Sequence, residues 1–144
     1  MRALPVILVL LGSALALGCS SATAPDQVKV VGVIDGLAAG APQVEVPTTV
    51  QAGQAFTVTV TTSGLNGCWE LHDTEVDVDG ATAVVTPYDL EYRGNEYGCT
   101  SMTLTFQHTA SVTFATPGGA RVEIRGREVP GGPIVTVVRT VVVE

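Results

Sequence analysis

Five carboxylates fall within ten positions in the stretch Glu70-Leu71-His72-Asp73-Thr74-Glu75-Val76-Asp77-Val78-Asp79, which also holds one of the chain's two histidines. Acids at this density are the raw material of a calcium site or of general acid–base catalysis. The spacing Glu75-x-Asp77-x-Asp79-Gly80 matches the opening of a calcium loop. Its twelfth position, where a bidentate carboxylate belongs, is however Thr86. Val76 and Val78 alternate with the acids, so the segment reads as a strand whose acidic face meets water. An adventitious calcium contact where Asp73 and Glu75 crowd together is the other reading.

Other chemistries find less material. Zinc and copper want three or four nitrogen or sulfur ligands, and the chain offers only His72 and His108 besides cysteines better suited to a disulfide. His72 is expected on a loop in water and His108 in a turn between strands. There is no Gly-x-Ser-x-Gly elbow, and Ser111 near His108 completes no recognisable triad. The glycine pairs sit in turns and open no helix, so they suggest no phosphate cradle. No metal, no cofactor and no enzymatic activity are therefore expected. Convergent carboxylates of the glycosidase kind stay open, since any two acids might meet in the fold.

All three tyrosines lie in Pro87-Tyr88-Asp89-Leu90-Glu91-Tyr92-Arg93-Gly94-Asn95-Glu96-Tyr97-Gly98, read here as a loop that leads into Cys99. Tyrosine, tryptophan and arginine dominate protein interfaces. Trp69, Tyr92, Arg93 and Tyr97 are thus the candidate contact patch. The competing reading has these aromatics covering a disulfide and capping the core.

The elements that must hold these residues follow from the rest of the chain. Met1-Arg2 followed by an apolar run to Leu17 has the form of a signal peptide, and the run is too short to span a bilayer. Two cleavage readings compete: the A-x-A pattern Ala14-Leu15-Ala16, and a cut before Cys19. The segment "LALGCSS" resembles a bacterial lipobox, with Gly18 directly before Cys19 and Ala16 where leucine is usual. The resemblance implies a diacylglycerol on the Cys19 thiol and cleavage before it. It also implies, through Ser20, sorting to the outer membrane where a bacterium has two membranes.

Cysteine arithmetic agrees with the lipobox. The chain has three cysteines, and an odd one in an exported protein needs an explanation. With lipid on Cys19, Cys68 and Cys99 remain as a disulfide pair in an oxidising compartment. The expected organisation is residues 1–18 as signal peptide, 19–27 as lipidated N-terminus and flexible tether, and 28–144 as one domain.

After removal of the signal peptide, 14 acidic and six basic side chains remain, a formal charge of −8. Such a surface repels nucleic acid, so no nucleic-acid partner is expected. Valine and threonine supply 40 of the 126 mature residues and leucine only five, a composition that favours strands. Alternation of apolar and polar residues predicts strands at Phe56–Thr61, Glu75–Asp79, Met102–Phe106, Ser111–Phe114 and Arg121–Arg125. Further strands are expected at Val28–Ile34, Val44–Val46, Ala83–Thr86 and Ile134–Val143, with Gly and Pro marking the turns. Seven to nine short strands predict an all-β sandwich of two antiparallel sheets.

Two segments, "VEVPTTVQAGQAFTVTV" and "VTFATPGGARVEIRG", resemble the entry strands and a later strand pair of bacterial immunoglobulin-like domains. The resemblance implies an immunoglobulin-like sandwich. It departs from the antibody pattern in lacking a tyrosine corner and the Cys…Trp…Cys spacing.

The expected protein is a lipid-anchored cell-envelope component with a binding, adhesion or structural module. Its anchor would be the membrane, and its protein or glycan partner is not specified by the sequence. Two alternatives stand beside it: an envelope metal-binding protein or enzyme using the 70–79 carboxylates, and a periplasmic chaperone or assembly factor that pairs its edge strands with a partner. Ile134–Val143, apolar on both faces around Arg139, suits either a covered central strand or such an edge.

Overall fold

The computed structural model describes residues 26–94 and 98–144 of the chain. Among them there is no helix. Nine strands form the structure: β1 (Gln27–Val31), β2 (Val44–Glu45), β3 (Thr49–Val50), β4 (Ala55–Gly64), β5 (Trp69–Asp79), β6 (Thr82–Tyr92), β7 (Leu104–Thr113), β8 (Gly118–Arg127) and β9 (Ile134–Val143). The β-branched composition supplies these strands, because Val and Thr side chains fit a pleated, half-buried surface.

The strands make two sheets. The larger runs β1-β6-β8-β9-β3 with β5 added along β6, and the smaller runs β2-β4-β7. Their inner faces enclose one core that includes Ile34, Val58, Val60, Val85, Val112, Phe114, Val122, Ile124 and Val141. Phe56 and Phe114 meet within it at 5.7 Å between ring centroids. The all-β sandwich is as expected, but the larger sheet is mixed: β6 pairs with β8, and β3 with β9, in parallel. Period-two patterning sets which face is buried and carries no information on strand direction.

Several boundaries differ from the sequence reading. The two strands expected on either side of His108 are one strand, β7, with no turn between them. His108 pairs in register with Val60 of β4. The tyrosine segment is strand as far as Tyr92, since β6 continues from Thr82 through Pro87. The Cys68–Cys99 disulfide is formed, with 5.5 Å between the Cα atoms, and joins the segments that flank the β5–β6 hairpin. Gly80 turns that hairpin at φ +57°, in the region glycine favours.

A bulge in β5 sets the stage for the polar residues. Leu71 opposes Asp89 and Thr74 opposes Pro87, so one extra residue enters β5 between them. The shift puts Thr74, and not Asp73, on the inner face. From there Glu75, Asp77 and Asp79 share the outer face, while Val76 and Val78 share the parity of Thr74 but remain exposed.

Candidate functional site

Four side chains from both sheets meet in the core. His108 and Thr62, on adjacent strands of the smaller sheet, face Asp89 and Thr74 of the larger one. His108 Nε2 lies 3.0 Å from Asp89 Oδ1 and 3.1 Å from Thr62 Oγ1, and His108 Nδ1 lies 3.1 Å from Thr74 Oγ1. A carboxylate only accepts, so Nε2–H is assigned as donor to Asp89; Nδ1 in that tautomer accepts from the Thr74 hydroxyl. Asp89 Oδ2 is buried with no hydrogen-bond partner. Gly32 makes the approach possible: a Cβ there would stand 2.6 Å from Thr62 Cγ2 and 3.0 Å from Asp89 Oδ2.

The order carboxylate, imidazole, hydroxyl is that of a nucleophilic triad. Yet the side chains of His108 and Asp89 are 1% and 0% exposed, and a substrate cannot reach the imidazole. The cluster acts as a polar pin between the sheets. Histidine placement is a correction, since the side chain lies mid-strand in the core. Asp89 could have been found in the sequence, because Ala83, Val85, Pro87 and Asp89 share one parity along β6, the buried one.

The acidic strand carries the second constellation. Lys29 of β1 reaches across the outer face to Asp73 Oδ2 at 3.0 Å and Glu75 Oε1 at 2.8 Å, and its ammonium sits 3.9 Å from the Tyr88 ring centroid. Tyr88 donates its hydroxyl to Glu75 Oε2 at 3.2 Å. Hydrogen bonds to Glu75 and then Asp73 raise the Lys29 pKa, and the Lys29 contact lowers that of Asp73. Burial, followed by the Glu75 carboxylate, pushes the Tyr88 hydroxyl up. A lysine therefore occupies the crowded acids where a calcium contact was the alternative. Among the described residues no three His, Cys, Asp or Glu side chains gather as a metal site. His72 is on β5, not a loop, and is exposed.

The contact patch is only partly assembled. Trp69 is 4% exposed and packs over Gly64, so its ring is covered and not offered to a partner. Arg93 is exposed and pairs with Glu91 at 2.8 Å. Trp69, Glu91, Arg93 and Arg127 line one small cleft of about 50 Å³. Tyr92 ends β6 and is half-buried. Tyr97 and Cys19 lie outside the described residues.

Of the two places the sequence allowed Ile134–Val143, a covered central strand or an edge, the structure shows β9 paired with β8 on one side and barely covered on the other. β3 covers β9 only at Val142 and Val143, where Val142 N–H donates to Thr48 O and Glu144 N–H to Val50 O. Among the described residues no strand flanks Ile134–Val141 on that side. Arg139, half-buried beside this open edge, donates to Val138 O at 3.2 Å and has no acidic partner among the described residues. Between β9 and β2 lies a depression of about 450 Å³ lined by Val44, Glu45, Val46, Pro47, Thr57, Thr59 and Arg139.

Comparison with family models, with curated proteins and with solved structures finds no match for this chain.

Proposed function

We propose that the chain is a lipid-anchored cell-envelope protein whose sandwich serves as a non-enzymatic binding module. The observation that carries this reading is the Cys68–Cys99 bridge. It suits an oxidising, exported setting, and it leaves Cys19, at the end of the apolar leader, as the one cysteine without a partner thiol in the chain. A diacylglycerol with a further acyl chain there would anchor durably, whereas one chain binds only marginally. Burial of the His108–Asp89 pair and the lysine seated on the acidic strand favour binding over catalysis.

An immunoglobulin-like module fits the split entry strand, with β2 on β4 and β3 on β9, and the β4–β7 pairing. The parallel β6–β8 pair departs from the usual form. Ser20 favours the outer membrane in a two-membrane envelope. Mass spectrometry of the native protein tests the reading. A chain that starts at Cys19 and carries lipid mass is expected, with loss of palmitate labelling and of membrane association in Cys19→Ala; a bare polypeptide starting at Leu17 would overturn it.

A further inference from the structure

We infer that the end of the sandwich where β1 starts is a lipid-docking face, which seats Leu65, Met102 and Val129 in the surface of the bilayer that holds the anchor. The inference rests on the reading of Cys19 as lipidated and adds a second, non-covalent contact with the same membrane. Seven residues lead from Cys19 to Asp26, a reach of at most about 25 Å when fully extended. Asp26 C=O accepts from Arg93 N–H, and Gln27 pairs with Tyr92, so the chain enters the fold where β6 ends. Strand directions gather three connections at that same end. Residues 65–68 follow β4 and residues 98–103 precede its antiparallel partner β7; Gly67 N–H donates to Thr100 O, and Cys68–Cys99 fastens the two segments together. Residues 128–133 follow β8, which runs parallel to β6, and Pro130 and Gly131 line the small cleft beside Trp69 and Arg93.

Each of these three connections carries one large apolar side chain that is more than half exposed: Leu65, Met102 and Val129. At the opposite end, the connections 51–54, 80–81 and 114–117 carry none. Charge does not account for a contact here. Arg93 is paired with Glu91, Arg127 donates to Gly132 O, and the exposed Asp26 and Glu128 add acid. The attraction is therefore apolar, of the kind that buries side chains at the boundary of head groups and acyl chains. Tether length selects the bilayer over other occupants. A seven-residue link holds the lipid surface at high effective concentration beside this end, so a few half-exposed side chains suffice without any further affinity.

The full mature chain in zwitterionic phosphatidylcholine vesicles, with and without bromine on the acyl chains near the head group, tests the contact. Trp69 is the one tryptophan of the sequence and lies at this end, so bromine quenching of its fluorescence reports the approach of lipid. Quenching should be at least about two-fold stronger in the parent than in Leu65→Gln/Met102→Gln, which keeps the anchor and removes the apolar contact. Both side chains are exposed, so circular dichroism of that variant should match the parent. Val142→Gln, an equally exposed apolar residue near the opposite end, should leave the quenching unchanged. Equal quenching in the parent and in Leu65→Gln/Met102→Gln would show that the tether alone sets the distance, and would overturn the inference. So would an equal loss in Val142→Gln, or absent quenching in all three, with dimers on cross-linking then assigning the face to a second copy. In each of those outcomes the protein still floats with the vesicles and the anchor stands. A parent chain that fails to float would overturn the anchor at Cys19 and this contact with it.

Discussion

His108 and Asp89 show how a buried polar pair serves two sheets at once. Asp89 Oδ1 finds its hydrogen bond only across the inter-sheet gap, on His108, so losing the imidazole strands the carboxyl in the core. His108→Leu is expected to cost about 3–5 kcal/mol, because the Asp89 carboxylate is left buried and unpaired. The double variant His108→Leu/Asp89→Leu should recover most of that loss, since an apolar pair leaves no orphan. Urea denaturation of the three proteins checks the cycle; a single variant within 1 kcal/mol of the parent would refute the pin. At the surface, Lys29 links β1 to β5 under a different rule. Asp73 titrates below its usual 3.8, so its share of the stability is present above that pH and is lost as acid takes the pH through the folded value. Lys29 titrates above 10.5, so its share is present below that pH and is lost as base takes the pH through the folded value. Lys29→Met should therefore lower the melting temperature slightly at pH 7. The difference should vanish in strong acid and in about 1 M salt, where the screening length is about 3 Å.

β5 and β9 each leave most of one strand edge unpaired among the described residues, and each is managed differently. β5 alternates acids with valines, so its outer face stays charged along the exposed edge, which discourages pairing with another sheet. β9 carries no acid and relies on Arg139, whose guanidinium caps an edge carbonyl. Arg139→Val would leave an unbroken run of Val and Thr from Ile134 to Val143. Aggregation with thioflavin-positive product is expected on incubation at concentrations where the parent stays clear in light scattering. Melting temperature should change little, since the substitution removes no ion pair. The β5 bulge is the other decision at this scale. It exchanges Asp73 for Thr74 on the inner face, which keeps a further carboxylate away from the buried Asp89.

For the whole molecule, the 31-residue separation closed by Cys68–Cys99 ties both ends of the β5–β6 hairpin beside Trp69. Replacing both cysteines with serine should lower stability by about 3.5 kcal/mol in the chain-entropy account. That is a large share of a small domain's net stability, and denaturation with and without reductant measures it. The parent in reductant should match the double variant.

Alternation, composition and cysteine count were enough to predict strands, a sandwich and a Cys68–Cys99 bridge, because each is a local or counting property of the chain. The acidic face of β5 was legible for the same reason: Val76 and Val78 fix its parity. His108 was misplaced because Gln107, Thr109 and Ser111 are polar and share the turn-like composition of a loop, while their common outward parity emerges only once β7 pairs with β4. The parallel pairings, the bulge and the open edge of β9 depend on which strands lie side by side. Neighbours distant in sequence settle that, through core packing and backbone hydrogen bonds, and no single segment encodes it.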